Sequence, residues 1–260
     1  MAAVVAATLA VLTFNVWLAG GLVKQQRSGA REHDFWVLCQ PGSTPRERES
    51  AFSHLVAAGN KEWRAADLWR LNLAGLSLTG ADLQNARFLR TNLAGVNLVG
   101  ANLCGSLLEL ADLTGAELTQ ANLSEARLLQ AILKGATLRR ANLRAGSIEQ
   151  VQAEKADFMA ADLSDAEGMM ANLTGAKLMG ANFSGAKLES AIFKGANLSL
   201  ARFEGADLTD ADFTNANWWR ATGLTTKQLD LLKKKYSPTA TADPALREDF
   251  ARWADGWGPR

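Results

Sequence analysis

The sequence predicts a solenoid, a fold in which a short repeated segment coils around one apolar core, carried behind an apolar segment. Residues 66–220 can be read in fives without a phase slip. The third position of these units is Leu, Ile or Phe in 28 of 31, and the first position is Ala in 24 of 31. Residues 2–23 contain no charged side chain, so they are a candidate membrane span.

A period of five decides between a coil and the regular elements. It matches neither the 3.6 residues of a helical turn nor the 2 of a strand, so neither element could keep every third-position side chain on one side. The chain therefore has to coil, and strict self-similarity outweighs local propensity. Burial of each central side chain contributes roughly 1.5–3 kcal/mol.

The repeated unit also points to a known family. Units such as ADLTG at 111–115 and ANLTG at 171–175 resemble the pentapeptide repeat family, whose commonest unit is A(D/N)LxG. The resemblance covers 155 of 260 residues. It implies an all-β fold, a right-handed quadrilateral β-helix of nearly eight coils with four units per coil. First and third residues would point inward, and the rod would be roughly 37 Å long at a spacing of about 4.8 Å per coil.

Two segments depart from the pattern, at 146–155 and 166–170. They lose the small first residue or the large central one, and Gly168 removes a core side chain outright. We expect this part of the tube to be underfilled or bulged. Tolerated drift and a site shaped for a partner are both compatible with it.

Both open ends of a solenoid need caps. Thr44, Pro45 and Glu47 supply an N-cap, a proline at the first helical position and a glutamate at the third, which predicts one helix over 45–58 within otherwise irregular chain. Thr225 and Gln228 resemble a second capping box, and a further helix is expected from Pro244. The predicted domains are a transmembrane helix at 1–23, a linker and N-terminal cap at 24–65, the solenoid at 66–220, and C-terminal capping helices and tail at 221–260.

The apolar segment predicts a location. As a helix, residues 2–23 would reach about 33 Å, enough for a hydrocarbon core of about 30 Å. A cleaved secretory signal is the alternative, but it needs basic residues before the apolar run and a good cleavage site after it. Lys24, Arg27 and Arg31 follow the span and no basic residue precedes it. The positive-inside rule then predicts a single-pass protein of the inner (plasma) membrane with the solenoid on the cytoplasmic side.

The sequence offers no catalytic constellation, so we predict that the chain is not an enzyme and needs no cofactor or metal. Its two histidines, His33 and His54, do not combine with a nucleophile and a carboxylate. Cys39 and Cys104 lie in no metal-binding pattern. The Asp and Asn residues at the second position of the units are explained by turn geometry.

The outward residues then carry the function, and four units per coil sort them into four faces. The side of the units centred on 68, 88, 108, 128, 148 and 168 is richest in large apolar and arginine side chains, a composition typical of binding surfaces. We call it the Trp69 face. Its predicted partner-binding residues are Trp69, Arg70, Arg87, Leu89, Arg90, Leu107, Leu110, Arg127, Leu129, Met169 and Met170. The opposite side, centred on 78, 98, 118 and onward, is intermediate, and we call it the Met179 face. Its outward apolar residues are expected to be Val99, Met159, Met179, Leu200 and Trp219.

Two functions follow from these features. The first is a membrane-anchored scaffold or accessory subunit that binds an integral membrane protein, or another subunit of a membrane complex, through the Trp69 face. Self-association and coverage of this face by the C-terminal tail both stay open. The second is implied by the family, some of whose members mimic duplex DNA and occupy the DNA site of type II topoisomerases. That function needs an acidic rod, whereas residues 66–220 hold 14 basic against 17 acidic residues, a net charge of only −3. The formal net charge of the whole chain, +1, gives no field strong enough to draw it onto nucleic acid, so we predict no nucleic-acid partner.

Overall fold

The computed structural model of the chain describes residues 29–40 and 42–257. Its elements are α1 (Gly29–Cys39), α2 (Pro45–Ala57), a short 3-10 turn (Trp218–Arg220), α3 (Thr226–Tyr236), α4 (Pro244–Arg252) and a wide turn (Trp253–Trp257). The solenoid lies between α2 and the 3-10 turn. The predicted apolar span at 2–23 lies outside the described residues. None of the helices within them is long and apolar enough to cross a membrane.

Four pentapeptides make one coil of the solenoid. Second-position residues 20 apart form parallel β-bridges, from Glu62–Asp82 to Arg202–Thr222. The bridges stay isolated because the fourth and fifth residues of every unit turn a corner. The first bridged unit, 61–65, lies one unit before Ala66 and buries Trp63 at its centre. The repeat pattern does not reveal this unit, because Lys61 stands where Ala is usual.

Backbone hydrogen bonds join each coil to both neighbours. The N–H of Leu103 donates to the carbonyl of Asn122 in the next coil at 2.7 Å, and the N–H of Asn122 donates to the carbonyl of Ala101 in the previous coil at 2.9 Å. The same pattern repeats along the rod. The polar backbone groups inside the stack are thereby satisfied, as burial requires.

The first and third residues of the units form one continuous core along the rod. Leucine dominates its first half, while Phe183, Phe193, Phe203 and Phe213 fill the second half. Phe183 and Phe203 stack at 5.2 Å between ring centroids, and Phe193 and Phe213 stack at 4.9 Å. Each coil therefore depends on the coils above and below for its packing.

The expectation of an underfilled or bulged segment around Gly168 is wrong. A Cβ atom at this position would lie 2.9 Å from Cδ2 of Leu188 and 3.2 Å from Cγ1 of Ile148, so these two side chains already fill the space. The β-bridges also continue in register through Ser147, Glu167 and Lys187. The core closes over a missing side chain because its neighbours lie one coil away on each side.

The N-terminal end is capped by helices, as predicted, but by two rather than one. In α2, Thr44 and Glu47 make the reciprocal hydrogen bonds of a capping box, and Phe52 packs on Trp63 at 4.3 Å between ring centroids. The prediction of irregular chain around this helix is wrong for 29–39, which forms α1. Phe35 of α1 reaches Trp63 at 6.4 Å, a tertiary contact that the polar residues near Gly29 do not reveal.

The C-terminal end is closed by α3 and α4 around two tryptophans. Thr225 and Gln228 form the predicted capping box, and Asp243 caps α4. The Trp218 side chain is fully buried and donates to the carbonyl of Tyr236 at 3.2 Å. Trp219, expected to point outward on the Met179 face, is instead buried and donates to Asp249 at 2.8 Å. The period continues to Trp219, but the cap covers it.

A candidate protein-interaction surface

The predicted partner-binding residues lie on one side of the rod because the bridges repeat every 20 residues. Three columns run along this side, set by position in the unit. The second-position column contains Arg87, Leu107 and Arg127, the fourth contains Trp69, Leu89, Leu129 and Met169, and the fifth contains Arg70, Arg90, Leu110 and Met170. Sequence period and tertiary structure agree on this placement.

Large apolar side chains on this face remain accessible. Trp69 is 39% exposed, Leu110 40%, Met169 43% and Met170 53%. Leu89, Leu107 and Leu129 are half-buried beside them. These four exposed residues are half of the eight large hydrophobic residues exposed in the described part of the chain. The apolar surface is therefore concentrated on one side of the rod, as binding surfaces often are.

Three of the four predicted arginines of this face, Arg70, Arg87 and Arg127, have local partners. Arg87 pairs with Asp67 at 3.5 Å, and Arg127 pairs with Glu109 at 3.0 Å. The Arg70 guanidinium lies over the Trp69 ring, 4.8 Å from its centroid. Exposed pairs of this kind contribute about 0–1 kcal/mol to folding, so they orient side chains more than they stabilise the rod.

The corner residues, at the fifth position of each unit, differ between the sides of the rod. The periodicity of the core does not predict this difference. Every fifth-position residue from 65 to 215 adopts a positive φ, a conformation that glycine adopts freely and that costs other residues roughly 1–2 kcal/mol. On the neighbouring side, six of the eight corners from 75 to 215 are glycine. On the Trp69 face none is: the corners are Arg70, Arg90, Leu110, Gln130, Gln150, Met170, Ser190 and Asp210. On each of the two remaining sides, glycine occupies three of the seven corners from 80 to 205, so the Trp69 face alone lacks glycine altogether.

The described part of the C-terminal tail covers the end of the rod. Gln228 donates to the carbonyl of Ala206 at 3.2 Å, and the Tyr236 hydroxyl donates to the carbonyl of Ala211 at 2.9 Å. Arg220 hydrogen bonds to Asp249 and so holds the pKa of this carboxyl below its ordinary value. The aromatic residues Phe250 and Trp253 pack on Trp218, so they serve as a cap and not as an extension of the binding surface.

The two histidines lie together at the N-terminal cap. A groove of about 410 Å³ between α1 and α2 is lined by His33, Asp34, Trp36 and His54. His54 Nδ1 lies 3.6 Å from Asp34, and His33 stacks on Trp36 at 5.9 Å between centroids. Within the described residues, no cluster of three or more His, Cys, Asp or Glu side chains is arranged to hold a metal ion.

Comparison with protein families matches the repeated region. A model described as pentapeptide repeats matches eight copies within residues 72–109, 111–150, 156–195, 169–205 and 181–220, which together are more than half of the chain. No curated protein matches the chain.

Several solved structures are similar over the solenoid. HetL, a pentapeptide repeat protein involved in heterocyst differentiation regulation in the cyanobacterium Nostoc, is 32% identical over 66% of this chain and 95% of its own, with a TM-score of 0.40. QnrB1, a plasmid-mediated fluoroquinolone resistance protein, is 20% identical over 65% of this chain and 98% of its own, with a TM-score of 0.38. A pentapeptide repeat protein from the thylakoid lumen of Arabidopsis thaliana is 27% identical over 54% of this chain and 83% of its own, with a TM-score of 0.28.

Proposed function

The chain belongs to the pentapeptide repeat family, and from that premise we propose that it is a membrane-anchored, non-catalytic scaffold or accessory subunit of a membrane protein complex. Its solenoid binds a protein partner through the Trp69 face. The observation that carries this proposal is the row of eight side chains at positive φ on that face. The equivalent corners on the side centred on 73, 93, 113 and onward are glycine in six of eight units. The side chains on the Trp69 face are therefore present at a cost to folding.

The chemistry of the face supports a protein partner. Trp and Arg are the side chains that most often carry binding energy in protein interfaces, and exposed Leu and Met supply area to cover. Covering apolar surface contributes roughly 25 cal/mol for every Å² removed from water. A DNA-mimicking rod has weaker support, because the coil at 126–145 carries five basic residues and no acidic one. That coil would interrupt an acidic surface.

The first prediction tests the corner side chains. We expect Arg90→Gly/Leu110→Gly/Met170→Gly to lose the partner while the melting temperature stays unchanged or rises. Glycine relieves the positive φ, so the fold loses no required contact, whereas the binding surface loses three side chains. The measurement is affinity purification of the detergent-solubilised full chain, with co-purifying subunits identified by mass spectrometry and melting followed in parallel.

A matched control exists on the Met179 face. Gln120, Arg140 and Leu200 occupy the same corner position with φ between 56° and 61°. We expect Gln120→Gly/Arg140→Gly/Leu200→Gly to retain the partner. Equal retention by both triple variants would show that the Trp69 face is not the binding surface.

The second prediction concerns the membrane anchor, which we propose at residues 2–23 in the inner membrane with the solenoid in the cytoplasm. The proposal rests on the uncharged span and the basic residues that follow it. We expect the full chain to resist carbonate extraction, and deletion of 2–23 to release it. Protease added to intact spheroplasts should leave the solenoid uncut. A mature protein that lacks residues 1–23, or a solenoid cut from outside, would contradict the anchor or its orientation.

A further inference from the structure

Building on the proposed function, we propose that the partner on the Trp69 face is an acidic segment of another protein, and that it binds the N-terminal half of this face. The reason is that the two halves of the face differ in charge. In the units 66–70, 86–90, 106–110 and 126–130, the charged outward side chains are four arginines and two carboxylates. In the units 146–150, 166–170, 186–190 and 206–210 they are five carboxylates and one lysine. The face is therefore basic in its first half and acidic in its second.

The large apolar side chains of the face lie mainly in the basic half. That half contains Trp69, Leu89, Leu107, Leu110 and Leu129, whereas the acidic half contains Met169 and Met170. Interfaces draw most of their binding energy from Trp and Arg side chains surrounded by apolar area. All of these occur together only in the basic half, so this half is where a partner gains most from binding.

Two arginines of the basic half have no acidic partner. The two carboxylates of this half are already paired within the chain, Asp67 with Arg87 at 3.5 Å and Glu109 with Arg127 at 3.0 Å. Among the residues that the structure describes, no carboxylate oxygen lies within 4.0 Å of the guanidinium of Arg70 or Arg90. These two exposed cations are therefore available to an acidic group from outside the chain.

Acidic side chains of the neighbouring elements do not neutralise them. Glu49 of α2 accepts a backbone N–H of the first coil at 2.6 Å, and Asp112 on the next side of the rod accepts a backbone N–H of its own turn at 2.9 Å. Neither carboxylate forms an ion pair with Arg70 or Arg90. Arg48 of α2 donates to a backbone carbonyl of the first coil and adds a positive charge at this end. This end of the face therefore stays basic.

Arg70 and Arg90 lie in the same column, one coil apart. The N–H of Arg70 donates to the carbonyl of Leu89, the residue before Arg90, at 3.0 Å. Corner residues of successive coils are about 4.8 Å apart, so the two like charges repel each other. One carboxylate can accept hydrogen bonds from two guanidinium groups, and charge-assisted bonds are about twice as strong as neutral ones. An acidic partner relieves this repulsion when it binds, which a neutral partner does not do.

The acidic half of the face favours a short protein segment over other anionic partners. A bilayer surface or a nucleic acid along the rod would contact both halves, and the whole face carries five basic and seven acidic residues. Phosphate-rich surfaces are repelled by such a net negative charge. A protein segment needs only the basic half, roughly 14 Å from its first coil to its last. Recognition of acidic motifs by clustered arginines is a common mode of peptide binding.

The third prediction concerns Arg90. We expect Arg90→Glu to lower recovery of the partner about tenfold or more at an unchanged melting temperature, because the new carboxylate pairs with Arg70 and repels an acidic segment. The measurement is affinity purification of the detergent-solubilised full chain. Arg140→Glu is the matched control, because Arg140 is an exposed corner residue with the same φ of 56° on the Met179 face. This variant should retain the partner.

Zero-length cross-linking tests the chemistry of the partner directly. The variant Arg70→Lys/Arg90→Lys keeps both positive charges, and a carbodiimide joins a lysine amine to a carboxylate that touches it. We expect mass spectrometry to find residue 90 joined to an Asp or Glu of another protein, in a segment that also carries apolar residues. The unaltered chain is the control, because the reagent does not couple a guanidinium. Replacement of the cross-linked Asp or Glu by Arg should restore binding to Arg90→Glu.

The outcomes separate this inference from the proposed function. Equal recovery with Arg90→Glu and Arg140→Glu, or a residue 90 that is joined only to a second copy of this chain or to no protein, overturns the acidic partner. The corner-glycine variant Arg90→Gly/Leu110→Gly/Met170→Gly then decides the proposed function. If this variant loses the partner, the face binds through its apolar side chains and the proposed function stands. If it keeps every partner, the proposed function fails as well.

Discussion

Leu123→Asp is expected to abolish the cooperative thermal transition of the solenoid, whereas Ser124→Asp beside it leaves the transition nearly unchanged. Leu123 is fully buried in the middle of the core, and its replacement removes an apolar side chain and buries an unpaired carboxylate. Together these effects should lower the free energy of unfolding by about 5 kcal/mol or more. Circular dichroism of the full chain during heating measures the loss.

Ser124 is the matched control because it is the next residue along the chain and points outward. A surface change of this kind usually alters stability by less than about 0.5 kcal/mol. Hydrogen exchange should show that Leu123→Asp exposes amides in the coils above and below, since each coil is held by its neighbours. Equal melting of the two variants would mean that the inward and outward positions have been assigned in the wrong register.

Trp218→Ala is expected to destabilise the C-terminal cap and the last coils by about 3–5 kcal/mol, the range typical for loss of a buried large aromatic side chain. Trp218 is fully buried, donates a hydrogen bond to Tyr236, and contacts Phe250 and Trp253 at 5.9 and 5.5 Å between ring centroids. Faster hydrogen exchange in residues 200–257, with slow exchange retained near the middle of the rod, is the measurement.

Trp36→Ala provides the comparison, because Trp36 is 56% exposed on α1 and its loss should change the melting temperature little. The contrast separates a buried aromatic from an exposed one in the same chain. If the amide hydrogens of residues 200–257 exchanged as slowly in Trp218→Ala as in the unaltered protein, α3 and α4 would not be the elements that close the solenoid.

The sequence by itself determined the architecture of the rod. A period of five admits only a coil, and four units per coil, which the family resemblance implied, placed Trp69, Leu89 and Leu129 on one side. The capping boxes at Thr44 and Thr225 were also readable, because their hydrogen bonds join residues three positions apart. The absence of glycine from the corners of the Trp69 face is also visible in the sequence. Only the positive φ angles show that a side chain at these corners has a cost.

Only the tertiary structure decided what depends on contacts between distant residues. Helix α1 forms where Phe35 meets Trp63, the first coil begins at a unit without Ala, and Trp219 is buried because α4 brings Asp249 to it. Gly168 leaves no gap because side chains 20 residues away on each side fill its place. A repeat pattern describes what every unit shares, whereas the ends and exceptions of a solenoid are set by packing between residues that no short-range pattern connects.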